Sequence, residues 1–142
     1  MTPGGDELSI PANLKSLSEI RQFVRDAAGK AGCPDQAIGE LTLAVDEACS
    51  NILTHGYENG EGRIGVAIRI DTGEIEVRIE DEAPLYDPFV EAPVPDVSKP
   101  ILERPLGGLG VEMIRQSMDE ARHEPGKKGG NLLILKKFCG GN

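Results

Sequence analysis

The chain lacks the long apolar run that a membrane span needs. Its first residues, Met1-Thr2-Pro3-Gly4-Gly5, have neither the basic nor the apolar region of a secretory leader. A cytoplasmic protein is the expectation. Positive charge is also short: 15 Lys and Arg face 24 Asp and Glu, for a formal net charge of -9. That argues against nucleic acid or an anionic membrane as the main partner, since both call for a cationic face. An acidic nucleotide stays open, because backbone N–H groups and a metal ion can hold phosphates. Cysteine is scarce. Cys33, Cys49 and Cys139 are odd in number, far apart and without metal-ligand spacing, which reads as free thiols in a reducing cytosol. Tryptophan is absent and aromatics make up 4%, while the 39% hydrophobic share is ordinary for a soluble α/β protein. A length of 142 residues suits one domain with a real core. There is no internal repeat and no low-complexity tract.

What is present centres on Leu41–Tyr57, LTLAVDEACSNILTHGY. Ile38, Leu41, Val45, Ala48 and Ile52 recur at three and four residues, the stripe of an amphipathic helix. Glu47 and Asn51 stand four apart on the flank of that stripe, one turn above the other, and His55 continues the row. Gly56 is expected to end the helix as a left-handed cap. A carboxylate and a carboxamide side by side can serve a proton acceptor and a metal ion together. On spacing alone, a solvated Glu and a helix-end Asn are the ordinary reading. His55 is expected to cap or pack, Glu40 and Asp46 to be solvated, and Cys49 to lie in the core.

The flanking segments alternate between helix and strand patterns. Glu7–Pro11 suits an edge strand, and Asn13 suits the N-cap of a helix whose stripe runs from Leu14 to Ala27. Gly32-Cys33-Pro34-Asp35 is a turn into the central helix. Ile64–Ile70, the turn Asp71-Thr72-Gly73 and Glu74–Asp81 form a hairpin. The parity of Asp81 puts it on the face of Ile75, Val77 and Ile79, and a core-facing carboxylate needs a partner. That partner is either a backbone N–H of the following turn or a donor on a ligand. Residues 85–106 hold five prolines in a loop too long to be idle, which suggests a lid without regular structure. Gly107-Gly108-Leu109-Gly110 opens a further helix, and glycines there let phosphate approach exposed N–H groups. The run lacks the Gly-Lys-Ser/Thr ending of a P-loop and does not follow a first strand as a dinucleotide fingerprint does. Met118–Glu124 is a poorly patterned strand, and Leu132–Leu135 is a buried closing one.

Taken together, EAxxNxxxHGY, DEAPxYDP, PLGGLG and MDE before a Gly-Gly-Asn strand resemble the boxes of the GHKL ATPase and kinase superfamily. More closely, they resemble the small bacterial anti-sigma factor serine/threonine kinases, over roughly Leu8 to Lys137. The resemblance implies an α+β fold: a two-layer Bergerat-type sandwich with a mixed, mostly antiparallel sheet and helices on one face. It also implies one ATP-binding kinase domain over 1–142, with the lid at 85–106. Glu47 then matches the general base, Asn51 the Mg²⁺ ligand, and Asp81 the acceptor for the adenine amino group. Gly108 and Gly110 match the phosphate-contacting glycines, with Gly107 and Leu109 in the same box. Ala83 stands where a glycine is usual, and Asn131 where a threonine often sits beside the Asp. Arg104 in the lid is a candidate for the terminal phosphate.

The function implied is phosphorylation of a STAS-type anti-sigma factor antagonist with Mg·ATP, coupled to sequestration of a sigma factor by a homodimer. Neither nucleic acid nor membrane is expected as a direct partner. The alternative is a non-catalytic, ATP-dependent protein-binding module of the same fold. Glu47 favours the kinase, because binding alone needs no base. The larger GHKL machines carry a transducer domain, and histidine kinases a phosphoacceptor helix pair; neither is expected here.

Overall fold

The computed structural model describes residues 5–91, 108–127 and 129–140. The period-two pattern of the hairpin appears as β2 (Arg63–Asp71) and β3 (Glu74–Asp81), joined at Thr72-Gly73. β1 (Gly5–Pro11) pairs with the outer side of β2, as an edge strand should. Two later strands, β4 (Glu120–Pro125) and β5 (Asn131–Phe138), complete a sheet of order β1-β2-β3-β5-β4. Every pairing among the described strands is antiparallel, so the sheet has none of the parallel pairs of a mixed one. The reason lies in the connection. The chain leaves β3, crosses to the far edge for β4, and returns as β5 between the two, running opposite to both.

Helix α1 (Leu14–Lys30) begins where expected: the Asn13 side chain accepts the Ser16 N–H at 2.9 Å. Ile20 and Val24 of its stripe are buried, whereas Leu14 at its start is exposed. Helix α2 (Asp35–Asn51) carries Leu41, Val45 and Cys49 into the same core. These side chains meet Ile64, Val66 and Ile68 of β2, Ile75, Val77 and Ile79 of β3, and Leu133 and Leu135 of β5. Each such burial stabilises by roughly 1.5–3 kcal/mol before conformational entropy is set against it. The helices cover one face. The other carries charge: Glu76 pairs with Arg78 at 2.7 Å and with Lys136 at 3.8 Å, and Arg122 pairs with Glu120 and Glu124. Burial pushes the Glu76 carboxyl up, but the Arg78 hydrogen bond and the charges of Arg78, Lys136 and Arg69 outweigh it and hold it low.

Three expectations need correction. Gly56 does not cap α2 in the left-handed region. The helix loosens after Asn51 into a π-helical turn, Ile52–Gly56, closed by Tyr57 N–H donating to Ile52 O at 2.8 Å. The left-handed residues come later, at Glu58 and Asn59. Second, Cys33 and Cys139 are not free thiols but a disulfide spanning 106 residues of sequence. The turn before α2 and the end of β5 meet in space, which spacing along the chain does not reveal. Cys49 alone stays free, and burial first, then Asp46 and Asp81, push its thiol up to about 12. Third, the start of the expected lid is regular. Pro88–Glu91 forms a short helix, α3, with proline at its first position and the Asp87 carboxylate accepting the Phe89 N–H at 2.9 Å. Residues 92–106 lie outside the described residues. Helix α4 (Gly108–Ser117) follows.

Candidate nucleotide-binding site

The ends of β3, β5, α2 and α4 converge on one cleft, and strand parity decides which side chains enter it. Asp81, the last residue of β3, is 5% exposed and pairs in register with Asn131. Its Oδ1 accepts the Ala83 N–H and the Asn131 Nδ2–H, each at 2.9 Å. So the backbone partner and a side-chain donor are both present, and both use the same oxygen. Oδ2 accepts no hydrogen bond among the described residues. Burial pushes the Asp81 carboxyl up; the bonds from Asn131 and Ala83 pull back only part of that, so its pKa stays raised.

Asn131 is 8% exposed and ties the strand ends to the segment after β3. Besides Asp81, its Nδ2 donates to Pro84 O at 3.1 Å and Ala83 O at 3.4 Å. Its Oδ1 accepts the Tyr86 N–H at 2.9 Å. Gly130 makes this approach feasible. It has φ +78, and a Cβ there would lie 2.1 Å from Asp81 O. Ala83 is buried against Gly56 of the π turn, and the Tyr57 hydroxyl accepts the Glu82 N–H while donating to Arg63 O.

The opposite wall is α2. Asn51 ends the α-helical part and lines the cleft beside Ile52 and His55 of the π turn. Glu47, one turn earlier, lies against the first turn of α4: a Cβ on Gly110 would sit 2.0 Å from Glu47 Oε1. The glycine thus leaves room for the carboxylate at a helix start, where partial positive charge gathers. Gly108 and Leu109 open the same helix. Arg104 and Gly107 lie outside the described residues. Asp81, Asn131 and Asn51 therefore share the cleft, while Glu47 packs on Gly110 at its α4 side.

Among the cleft residues that reading the sequence missed, Phe89 and His123 bear most on the site. Phe89 of α3 lines the cleft with the Arg115 guanidinium 5.4 Å from its ring centre. His123 of β4 places its Nε2 2.7 Å from Asn131 Oδ1 and its Nδ1 3.8 Å from Asp87 Oδ2. A signal for His123 was available: it pairs with core-facing Leu133, so its parity raises the same question as that of Asp81. The weak strand pattern hid it.

In chemical terms the cleft offers a buried acceptor for an amino group, a helix start for anionic groups and a carboxylate beside that start. Among the described residues no group of three or more His, Cys, Asp or Glu could hold a metal ion. A metal here would take Asn51 as its one protein oxygen, a donor set that suits Mg²⁺ completed by phosphate and water. No described helix is long and apolar enough to cross a membrane.

The model of the histidine kinase-like ATPase domain matches residues 10–137. A serine-protein kinase RsbW from Halalkalibacterium halodurans is 31% identical over 135 residues, covering 93% of this chain and 82% of that one. An RsbW from Bacillus thuringiensis is 28% identical, covering 84% and 78%. Among solved structures, the RsbU and RsbW domains of a Mycobacterium tuberculosis protein align with TM-score 0.67 at 19% identity over 94% of this chain. The chain spans about a third, 32%, of that longer protein, and the likeness speaks for the fold. With a family model matched over nearly its whole length, the chain belongs to the histidine kinase-like ATPase domain family, alongside the RsbW serine-protein kinases.

Proposed function

We propose that this protein is an ATP-dependent protein serine/threonine kinase of the anti-sigma-factor type. The observation that carries the reading is the pairing of a buried acceptor, Asp81 held by Asn131, with a carboxylate, Glu47, set against the start of α4. Asp81 Oδ2 takes the adenine amino group. The N–H groups at Gly108–Gly110 face the phosphates, and Arg104 is assigned to the terminal one. Asn51 holds Mg²⁺, which when bound neutralises phosphate charge. Glu47 accepts the proton of a serine or threonine hydroxyl as its oxygen bonds to the γ-phosphorus and the bond to ADP breaks. Proton acceptance of this kind contributes about 10²–10⁴ in rate.

The finer parts of the reading are a STAS-type antagonist as the phosphorylated partner, a sigma factor as the sequestered one, a homodimer, one domain over 1–142 and a cytoplasmic location. The Cys33–Cys139 bond bears on the last, since a reducing compartment opposes it. Its redox state in cells is therefore worth measuring.

The deciding experiment is single-turnover transfer from labelled ATP to a partner retained from native cytosol, using wild type and Glu47→Gln. The variant should bind ATP and partner while losing transfer. Equal rates remove Glu47 from catalysis. Tight binding without transfer by either form points to a regulatory module that does not phosphorylate.

A further inference from the structure

We propose that His123 is a positioning residue for base selection, holding the Asn131 amide so that Asp81 presents only an acceptor to the nucleotide base. The inference rests on the ATP reading above. Five groups surround the Asn131 amide. Three are oxygens, at Asp81 Oδ1, Ala83 O and Pro84 O, and they fix that end as the donor, Nδ2. The other end is therefore the oxygen, and it accepts from Tyr86 N. A ring nitrogen 2.7 Å from the same oxygen must carry a proton, which sets His123 as the Nε2–H tautomer.

The three oxygens and the Tyr86 N–H oppose a flip of the amide outright, and the His123 ring opposes it as long as Nε2 carries the proton. Flipping would turn its oxygen toward three oxygens and its NH₂ toward two N–H donors. With the amide locked, both Nδ2 hydrogens are consumed within the protein and none faces the base. Asp81 spends Oδ1 on Asn131 and Ala83, leaving Oδ2 as an acceptor. A purine with a 6-amino group meets an acceptor there, while one with a 6-carbonyl meets another oxygen. His123 lines the same cleft with its side chain 6% exposed, and its hydrogen bond goes to Asn131. Its second nitrogen stands 3.8 Å from the Asp87 carboxylate, too far for a hydrogen bond, and it is the Tyr86 N–H bond to Asn131 Oδ1 that ties the segment after β3 to the lock.

The test compares affinities for ATP and for ITP, which differs at the 6-position, in wild type, His123→Leu, His123→Gln and His123→Asn. Gln places a donor nitrogen near the position of Nε2; Leu offers no donor, and the shorter Asn falls short of Asn131. The Leu and Asn variants should lose on the order of tenfold in ATP affinity, the loss of one buried hydrogen bond, with little change for ITP. Gln should recover the ATP:ITP ratio to within about twofold. A purely structural role would instead weaken both nucleotides together. An unchanged ratio in both the Leu and Asn variants overturns the proposal, and if Leu does not fold, Asn against Gln decides it. Asp81→Asn is run beside them. If that variant keeps the wild-type ATP preference, the nucleotide reading itself fails; if it loses the preference while the His123 variants keep it, only the positioning role fails.

Discussion

Asp81 is costly to bury, and in the proposed reading that cost is connected to its use. Its pKa is raised chiefly by burial, so the folded state holds its proton to higher pH than the unfolded chain does. The sign follows from linkage: stability contributed by this group is present at low pH and is lost as pH rises through the folded pKa. At neutral pH, the charged carboxylate therefore opposes folding. Asp81→Asn keeps an Oδ1 for the Asn131 and Ala83 donors and removes the charge. The expected outcome is a higher melting temperature without nucleotide and ATP affinity weaker by about 1.5–3 kcal/mol. Thermal melts and calorimetry on one preparation check both halves. ATP affinity of the wild type should also fall on acidification, starting above the usual carboxylate range, because a protonated Asp81 loses acceptor strength. An affinity flat across that range would remove Asp81 from base recognition. Asp81 was visible in the sequence because β3 alternates cleanly, so one polar residue on the apolar parity stands out. His123 sits under the same rule in β4, but the charged neighbours Arg122 and Glu124 blur the alternation there. Of the amide network around Asn131, the resemblance implied only its place beside Asp81; the bonds to Ala83, Pro84 and Tyr86 were not legible, since they join residues 45 to 48 positions apart.

At the scale of elements, the contact of α2 with α4 sets the position of Glu47, the base in the proposed reading. It depends on Gly110 having no side chain. Alanine favours a helix over glycine by about 1 kcal/mol, so Gly110→Ala should not unfold α4. Its Cβ would nevertheless lie 2.0 Å from Glu47 Oε1, and the carboxylate must give way. The expected result is phosphotransfer slowed on the order of 10²-fold, within the range of a displaced base. Melting temperature should stay close to wild type, and ATP affinity should fall less than the transfer rate, because the Gly110 N–H is kept. Equal loss of ATP binding would mean that α4 itself moved. A companion measurement concerns residues 85–106, where hydrogen exchange should slow on ATP binding; unchanged exchange removes Arg104 from the site. Period-two and period-3.6 patterns made β2, β3, α1 and α2 legible, because burial on one face imposes them. The π turn was not, since Ile52 and Leu53 continue the apolar stripe of α2 and only the hydrogen-bond ladder changes. Such turns accumulate at functional sites, and this one aims Ile52 and His55 at the cleft.

For the whole molecule, two devices hold the parts together apart from the shared core. The ion pairs on the outer face of the sheet are mostly half-exposed, as Arg122 with Glu120 and Glu124 illustrates, and such pairs contribute little each. The Cys33–Cys139 bond has far more leverage, because it closes a segment of 106 residues. In the chain-entropy account, a loop of that length stabilises by about 4–5 kcal/mol at 25 °C, acting on the unfolded chain. It joins the turn ahead of α2 to the end of β5, where the Cys139 N–H donates to Gly73 O at 2.7 Å. Asn131, at the other end of β5, is roughly 25 Å away along the strand at the usual rise per residue. Reduction, or the pair Cys33→Ser and Cys139→Ser, should therefore lower the urea midpoint substantially while leaving ATP affinity within about twofold, since nothing at the Asp81 end is touched. Urea melts with and without reductant, beside nucleotide titration of the same samples, separate the two effects. A midpoint that ignores reductant and serine substitution alike would show that the thiols are free in solution, restoring the expectation drawn from their spacing. A joint fall in stability and ATP affinity would instead mean that α2 is held in its catalytic position from its far end.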